Sequence, residues 1–432
     1  MGLFSWLWEH HQLLMHQCFS LPFAFLFYFL AIWGYLNLTY RYLFLSVGGC
    51  VLAVVTMGIY SLLLVISSFV FVILLCSMDP SRIHAWAFSI QMLWLTFWHL
   101  LIQYREYYLN EPVSIRLFLA VSSLMLLTQR ITSVSMDLQE NTVVLSFNAS
   151  SKRKACVTLL PFISYILNFT TLLGGPLCSY SQFVSQMERI NLKPPPSPLA
   201  LVCLKLIQVI SLELVKQCLI YVIKQNTSDS SSSAVLCAIL WVWTLAVVLR
   251  IQYYSHWKIS ECLSNAAGLG FWKNSSGDSS DLSGLSDGDF WITESSSRIS
   301  EFARRWNATT ATWLRRLVFI RCKRFPLFMT FGFSLWWHGL HLGHFVGFLT
   351  WAATVKADYY IHRYLHPKLS SPWRKQLYTC LCWINTQMIV TCLVISVELR
   401  NISGLRLLFV TYIGLFPLGN IILLVILINT VG

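Results

Sequence analysis

Three of the chain's eleven histidines, His338, His341 and His344, fall inside a run from about Leu327 to Ala353 that contains no Asp, Glu, Lys or Arg. A polar group surrounded by hydrocarbon is retained mostly where it lines a cavity or a reaction path. Burial disfavours the charged form of an imidazole, so such a ring stays neutral with a nitrogen able to accept a proton, as a general base requires. His338 has the most distinctive surroundings, Phe331-Gly-Phe-Ser-Leu-Trp-Trp-His338-Gly-Leu-His341. Gly339 would open close backbone access on one side, and Trp336 and Trp337 would wall the other. The plainer reading is a histidine that bonds a neighbouring helix and does no chemistry.

Two other chemistries fit some of the same residues. On one continuous helix the three imidazoles would spread over an arc of about 120°. Together with the i, i+4 pair His362 and His366 they would then resemble the histidine clusters of membrane di-iron desaturases and hydroxylases. Those enzymes use several tight histidine boxes. Here His10, His11, His16, His84, His99 and His256 are dispersed, and no carboxylate lies near His338 in the run, so no metal site is expected. The second cluster is Arg304-Arg305-Trp306-Asn307 followed by Trp313-Leu-Arg315-Arg316. Guanidinium forks match phosphate geometry, although Trp and Arg at helical spacing also describe an ordinary interfacial helix. Asn307 heads a glycosylation sequon, but so do Asn37, Asn148, Asn168, Asn226, Asn274 and Asn401, which leaves that signal with little weight.

The elements that must carry these residues are apolar helices. The chain has 432 residues, 56% hydrophobic and only 11% charged, with 28 Phe, 18 Trp and 18 Tyr. Runs of about 20 apolar residues recur along its length and predict an all-α polytopic membrane protein rather than a β-barrel. Spans are expected near 18–36, 42–57, 58–77, 84–104, 113–128, 157–176, 198–223, 233–251, 327–353, 376–398 and 405–429. That is about eleven transmembrane or re-entrant helices, forming one domain over 1–432. Gly48, Gly49 and Gly58 are expected to break the long run from Tyr42 to Cys76, as a kink or a hairpin. Residues before Cys18 include Glu9 but no Lys or Arg, so the first span itself is expected to direct insertion.

The net charge of +13 gathers in a few polar loops. In a membrane-embedded chain this points to anionic lipid surfaces or a phosphate-bearing cosubstrate and excludes nucleic acid as a sensible partner. The thirteen cysteines lie mostly in apolar runs without paired spacing and read as small core residues. Lys193-Pro-Pro-Pro-Ser-Pro198 reads as an extended connector and Asn226 to Ser233 as a polar loop. The interval 252–326 reads as a polar, basic loop with short interfacial helices around a flexible middle, 274–289.

An Asn in a polar loop helix followed some thirty residues later by a His in an apolar helix, here Asn307 and His338, resembles the signature of the membrane-bound O-acyltransferases. Arg41-Tyr-Leu-Phe-Leu, Ser122-Ser-Leu-Met-Leu-Leu-Thr-Gln-Arg130, Tyr253-Tyr-Ser-His-Trp257, Trp313-Leu-Arg-Arg-Leu-Val-Phe319 and the Trp-Trp-His338-Gly-Leu-His stretch extend the resemblance over nearly the whole chain. They are most similar to the branch of that family that acylates a secretory peptide hormone. The resemblance implies helices around an internal reaction chamber, acyl-CoA (octanoyl-CoA) as cosubstrate, a peptide serine as acceptor and residence in the endoplasmic reticulum membrane. A lysophospholipid acyltransferase of the same fold is the alternative, and a transporter would need intramembrane charge pairs or repeats that are not evident.

Within that resemblance His338 is the expected base and Asn307 the expected donor or orienting group. Arg304, Trp306 and Trp337 are candidates for substrate binding. Phe331 lies two helical turns, ~10 Å, from His338 on the same face, which suits the far end of an eight-carbon acyl chain. Trp351 is the corresponding candidate further along the chain, and for both residues plain helix packing is the competing account.

Overall fold

The computed structural model describes residues 12–140, 142–143, 152–190, 198–228, 235–270, 286–400 and 402–431, and among them every regular element is helical. The expected connector at 193–198 falls almost entirely outside the described residues, as do 229–233 of the expected polar loop and 274–285 of the expected flexible middle. Among the described residues, seven helices are long and apolar enough to cross a membrane, or eight if the bent pair Gly404–Val410 and Leu415–Asn429 counts as one span. Outward-facing apolar side chains such as Phe23, Val47, Leu199 and Leu214 are more than half exposed, as a lipid-bathed surface requires. The chain is a multi-pass membrane protein.

Several of the expected runs are joined or divided, for local reasons. Runs 42–57 and 58–77 join into a single 40-residue stretch, Leu38–Ser77. Helix α2 (Leu38–Met57) passes through a one-turn 3-10 segment at Gly58–Ser61 into α3 (Leu62–Ser77), so Gly58, at φ 57°, turns the helix without reversing it. The run at 157–176 yields the shorter α6 (Lys152–Ile166) and a 3-10 turn. The run at 327–353 is split in two at Gly339.

The chain divides into two compact units. The first comprises residues 1–209 and 256–286, with α1 (Gln12–Ile32), α2, α3, α4 (Pro80–Gln103), α5 (Ile115–Gln139), α6 and α7 (Tyr180–Arg189). Its axis is α5, which packs on α2, α3 and α4 and is buried along most of its length. That burial needs internal partners for its many polar side chains. Thr128 and Thr132 hydroxyls donate to carbonyls one turn back, the Arg130 guanidinium donates to Ile166 O and Thr171 O, and Ser135 meets His84 Nδ1 at 2.9 Å. Gly49 lets α2 press on the end of α6, since a Cβ there would lie 1.6 Å from the Leu167 carbonyl oxygen.

The second unit comprises 210–255 and 287–432. Helix α8 (Pro198–Ser228) and helix α9 (Val235–Ala266) each run from one unit's residues into the other's. Residues 252–266 are therefore helical, which corrects the expectation of a loop beginning at 252. Their polar groups pair internally instead of requiring water: Glu261 is bonded by Lys205, Lys258 and Ser286, and Gln17 donates to Ser260. The second unit continues with α10 (Phe290–Glu294), α11 (Ile299–Arg305), α12 (Ala308–Leu314), α13 (Pro326–His338), α14 (Leu342–Leu365), α15 (Pro372–Leu399), α16 (Ile402–Val410) and α17 (Leu415–Val431). Pro occupies the first turn of α4, α13 and α15, where its missing N–H is not needed. Helix α14 is the hub and packs on α11, α13, α15 and α17.

Candidate active site

Helix α13 delivers His338 as its last residue. The chain stops being helical there because Gly339 adopts φ 104°, a conformation a side chain would strain, and its N–H turns back to Trp336 O. Helix α14 restarts after His341. The three histidines are therefore not on one continuous helix, and the expected 120° arc does not form. His341 and His344 are buried, and His344 Nδ1–H donates to the Gly339 carbonyl at 2.7 Å. This bond braces the turn immediately behind His338 and fixes which ring nitrogen of His344 carries its proton.

His338 is half-buried in an aromatic setting. Its ring stacks on Phe348 (5.1 Å, 24°) and meets Trp337 edge-on at 4.8 Å. Trp337, 3% exposed, lies against Trp313 at 5.2 Å. Trp313 belongs to α12, the helix that begins at Asn307. A second aromatic series runs from Phe348 to Trp351 (6.4 Å), from Trp351 to Phe331 (5.3 Å) and Phe302 (6.5 Å), and from Phe302 to Trp306 (5.6 Å). The expected residues Trp306, Phe331, Trp337, Trp351 and His338 thus share one apolar wall, most of it around the core of Ile299, Phe302, Val355, Ile389, Val390 and Leu393. Phe348 and Phe302, which the sequence reading does not single out, complete that wall together with Trp313 of the Trp- and Arg-rich cluster.

Asn307 caps α12 in the left-handed conformation (φ 46°, ψ 59°) and its side chain makes no capping bond. Asn tolerates this region better than other residues with a Cβ. Asp287 holds the turn: its carbonyl accepts from Ala308 N–H at 2.8 Å and its carboxylate accepts from the Thr309 hydroxyl. Asp287 and Asp289 lie in the stretch read as flexible, yet Asp287 is buried and Asp289 caps α10 through Ile292 N–H.

The basic residues divide by role. Arg305 donates to Ile292 O and Ser296 Oγ, bracing α11 on α10. Arg304 is exposed and reaches the Tyr359 hydroxyl at 3.0 Å, and Arg298 forms a two-point pair with Asp358. Arg315 is exposed. His362 and His366 stack at 4.6 Å, and His362 Nδ1 faces the Tyr378 hydroxyl. Burial first, then the Arg298 charge, holds His362 below the ordinary histidine range. Among the described residues no three His, Cys, Asp or Glu side chains stand close enough to share a metal ion.

The family model for "MBOAT, membrane-bound O-acyltransferase family" matches residues 50–397, and the chain belongs to that family. It is 39% identical over 421 residues to the membrane-bound ghrelin O-acyltransferase MBOAT4 of Rattus norvegicus and 40% identical over 422 residues to that of Mus musculus, each match covering 96% of both chains. It is also similar to the membrane-bound glycerophospholipid O-acyltransferase 1 of Mus musculus, at 28% identity over 349 residues, 72% of this chain and 68% of the relative.

Proposed function

We propose that this enzyme transfers a medium-chain acyl group, octanoyl, from acyl-CoA to a serine hydroxyl of a secretory peptide of the proghrelin kind, in the endoplasmic reticulum membrane. The observation that carries this reading is end-to-end similarity to two ghrelin O-acyltransferases, covering 96% of each chain, against partial coverage by the glycerophospholipid enzyme. The chemistry needs a base, a donor for the developing oxyanion and an environment from which water is excluded. His338 takes the proton from the serine hydroxyl as that oxygen attacks the acyl carbon. The tetrahedral oxyanion collapses, the carbon–sulfur bond breaks, and His338 returns the proton to the departing thiolate of coenzyme A. Asn307 donates to the thioester oxygen or orients the acceptor. The aromatic wall excludes water and binds the acyl chain, with Phe331 and Trp351 at its far side. Arg304 and Arg315, both exposed, are suited to the coenzyme A phosphates, whereas Arg305 is engaged in bracing α11.

Ser334 lies one helical turn before His338 and is the nearest hydroxyl in sequence. Its burial at 5% exposure supports direct transfer over an acyl-enzyme. The glycerophospholipid relative favours a lysophospholipid acceptor as the second reading. Membranes given labelled octanoyl-CoA together with a ghrelin-like N-terminal peptide and a lysophospholipid separate the two. Label in the peptide, dependent on its serine, is the expected result; label only in lipid would overturn the peptide reading.

A further inference from the structure

Helices α10, α11 and α12 have five, seven and seven residues, too short to hold a shape on their own. Something must fix the segment that presents Trp306 and Asn307. Arg250, on α9, has 0% exposure, and its Nε lies 3.0 Å from Glu294 Oε1 at the end of α10. Its Nη2 donates to Gln387 Oε1 at 3.0 Å. Gln387, on α15, donates back to the Glu294 carbonyl at 3.1 Å and to Glu294 Oε2 at 3.2 Å, and accepts from the Trp243 indole. Trp383 donates to the same Glu294 carbonyl at 2.9 Å. Residues from two long helices therefore converge on one residue of α10. Such a buried pair adds little net stability over apolar residues of similar volume. The bonds of fixed direction come from Gln387 and Trp383, since Arg250 Nε meets the carboxylate as a charge contact without hydrogen-bond geometry.

The same carboxylate reaches further. Tyr254 donates its hydroxyl to Glu294 Oε1 at 3.1 Å, and its ring is the edge-to-face partner of Trp306 at 5.4 Å. Trp306 is covalently next to Asn307, whose left-handed backbone leaves little freedom to compensate for a shifted neighbour. We propose that Arg250, Glu294 and Gln387, acting through Tyr254 and Trp306, form a positioning network for Asn307. This proposal rests on the assignment of Asn307 to acyl transfer. The network acts through Tyr254 and Trp306 and sets where the Asn307 amide points.

Two volume-preserving changes test it in membranes carrying the full chain. Tyr254→Phe keeps the ring and removes its bond to Glu294, and Gln387→Met keeps the bulk and removes the bridge. Total octanoyl moved from labelled octanoyl-CoA, in peptide plus lipid, is the readout, so the result does not depend on which acceptor is used. Tyr254→Phe is expected to lower kcat about tenfold, the effect of one hydrogen bond to a charged acceptor, and Gln387→Met, which removes its bonds to Glu294, Arg250 and Trp243 together, by at least as much. KM for octanoyl-CoA should stay within about twofold and membrane abundance should hold. In an Asn307→Ala background neither change should cost a further tenfold, because effects that act through one group do not add. Wild-type kcat in both single variants, or a full repeat of the loss in the Asn307→Ala background, would overturn the network's positioning role. Label confined to lipid would overturn only the peptide acceptor.

Discussion

Replacing Phe331 with alanine tests whether the aromatic wall measures acyl length. Phe331 is seven residues before His338 on α13, about 10 Å along the axis, and its ring meets Trp351 at 5.3 Å. Removing the benzyl group extends the wall's apolar space on the Trp351 side. Each methylene moved from water into such space contributes about 0.8 kcal/mol. A decanoyl donor, two methylenes longer, would then gain up to ~1.6 kcal/mol, or about 15-fold in kcat/KM relative to octanoyl. The loss of a half-buried aromatic should cost the fold about 2 kcal/mol, so abundance must be measured beside activity. The assay is a competition between octanoyl- and decanoyl-CoA, each with a distinguishable label, at fixed peptide. A decanoyl-to-octanoyl ratio unchanged from wild type in a protein of normal abundance would return Phe331 to plain packing and refute the ruler.

His338→Ala is expected to remove transfer by at least a hundredfold, the usual contribution of a general base, at normal abundance; retained turnover would take His338 out of the mechanism. Trp351→Phe keeps an aromatic side chain but removes part of the indole with an N–H that is buried without an acceptor, so a raised KM for acyl-CoA would identify the indole as a substrate contact, whereas unchanged kinetics would restrict Trp351 to the wall. At Gly343 a Cβ would lie 2.0 Å from the Ser396 carbonyl oxygen, and Gly343→Ala should cost about 3 kcal/mol through the α14–α15 contact, read as lost membrane abundance with kcat per molecule unchanged. Chelators should leave activity intact; loss that iron restores would revive the histidine-cluster reading.

Legibility in the sequence followed the range of the interaction. The apolar runs and the intramembrane histidine were readable because hydropathy and residue type are local properties. The break after His338 was only half readable: Gly339 was visible, but its positive φ depends on the tertiary setting of α14, and the straight-helix reading therefore misplaced His341 and His344. The interval after 252 misled because its polar residues look solvent-loving until Glu261, Lys205 and Lys258 are seen to satisfy one another. Arg250 and Glu294 were hidden for the same reason. Nothing local pairs residues 44 positions apart, although an arginine at the end of an apolar run is itself a signal that a partner must exist.

The left-handed backbone at Asn307 complicates how its loss should be interpreted. Alanine pays roughly 1–2 kcal/mol to sit there, so Asn307→Ala removes an amide and strains the start of α12 at once. Glycine removes the amide while accepting the conformation, and aspartate keeps the shape while reversing the polarity. If activity falls equally in all three, the amide donor is essential; if glycine retains much more than alanine, the backbone shape accounts for part of the loss. The alanine scan most often used to define catalytic groups would therefore overstate the chemistry of this residue.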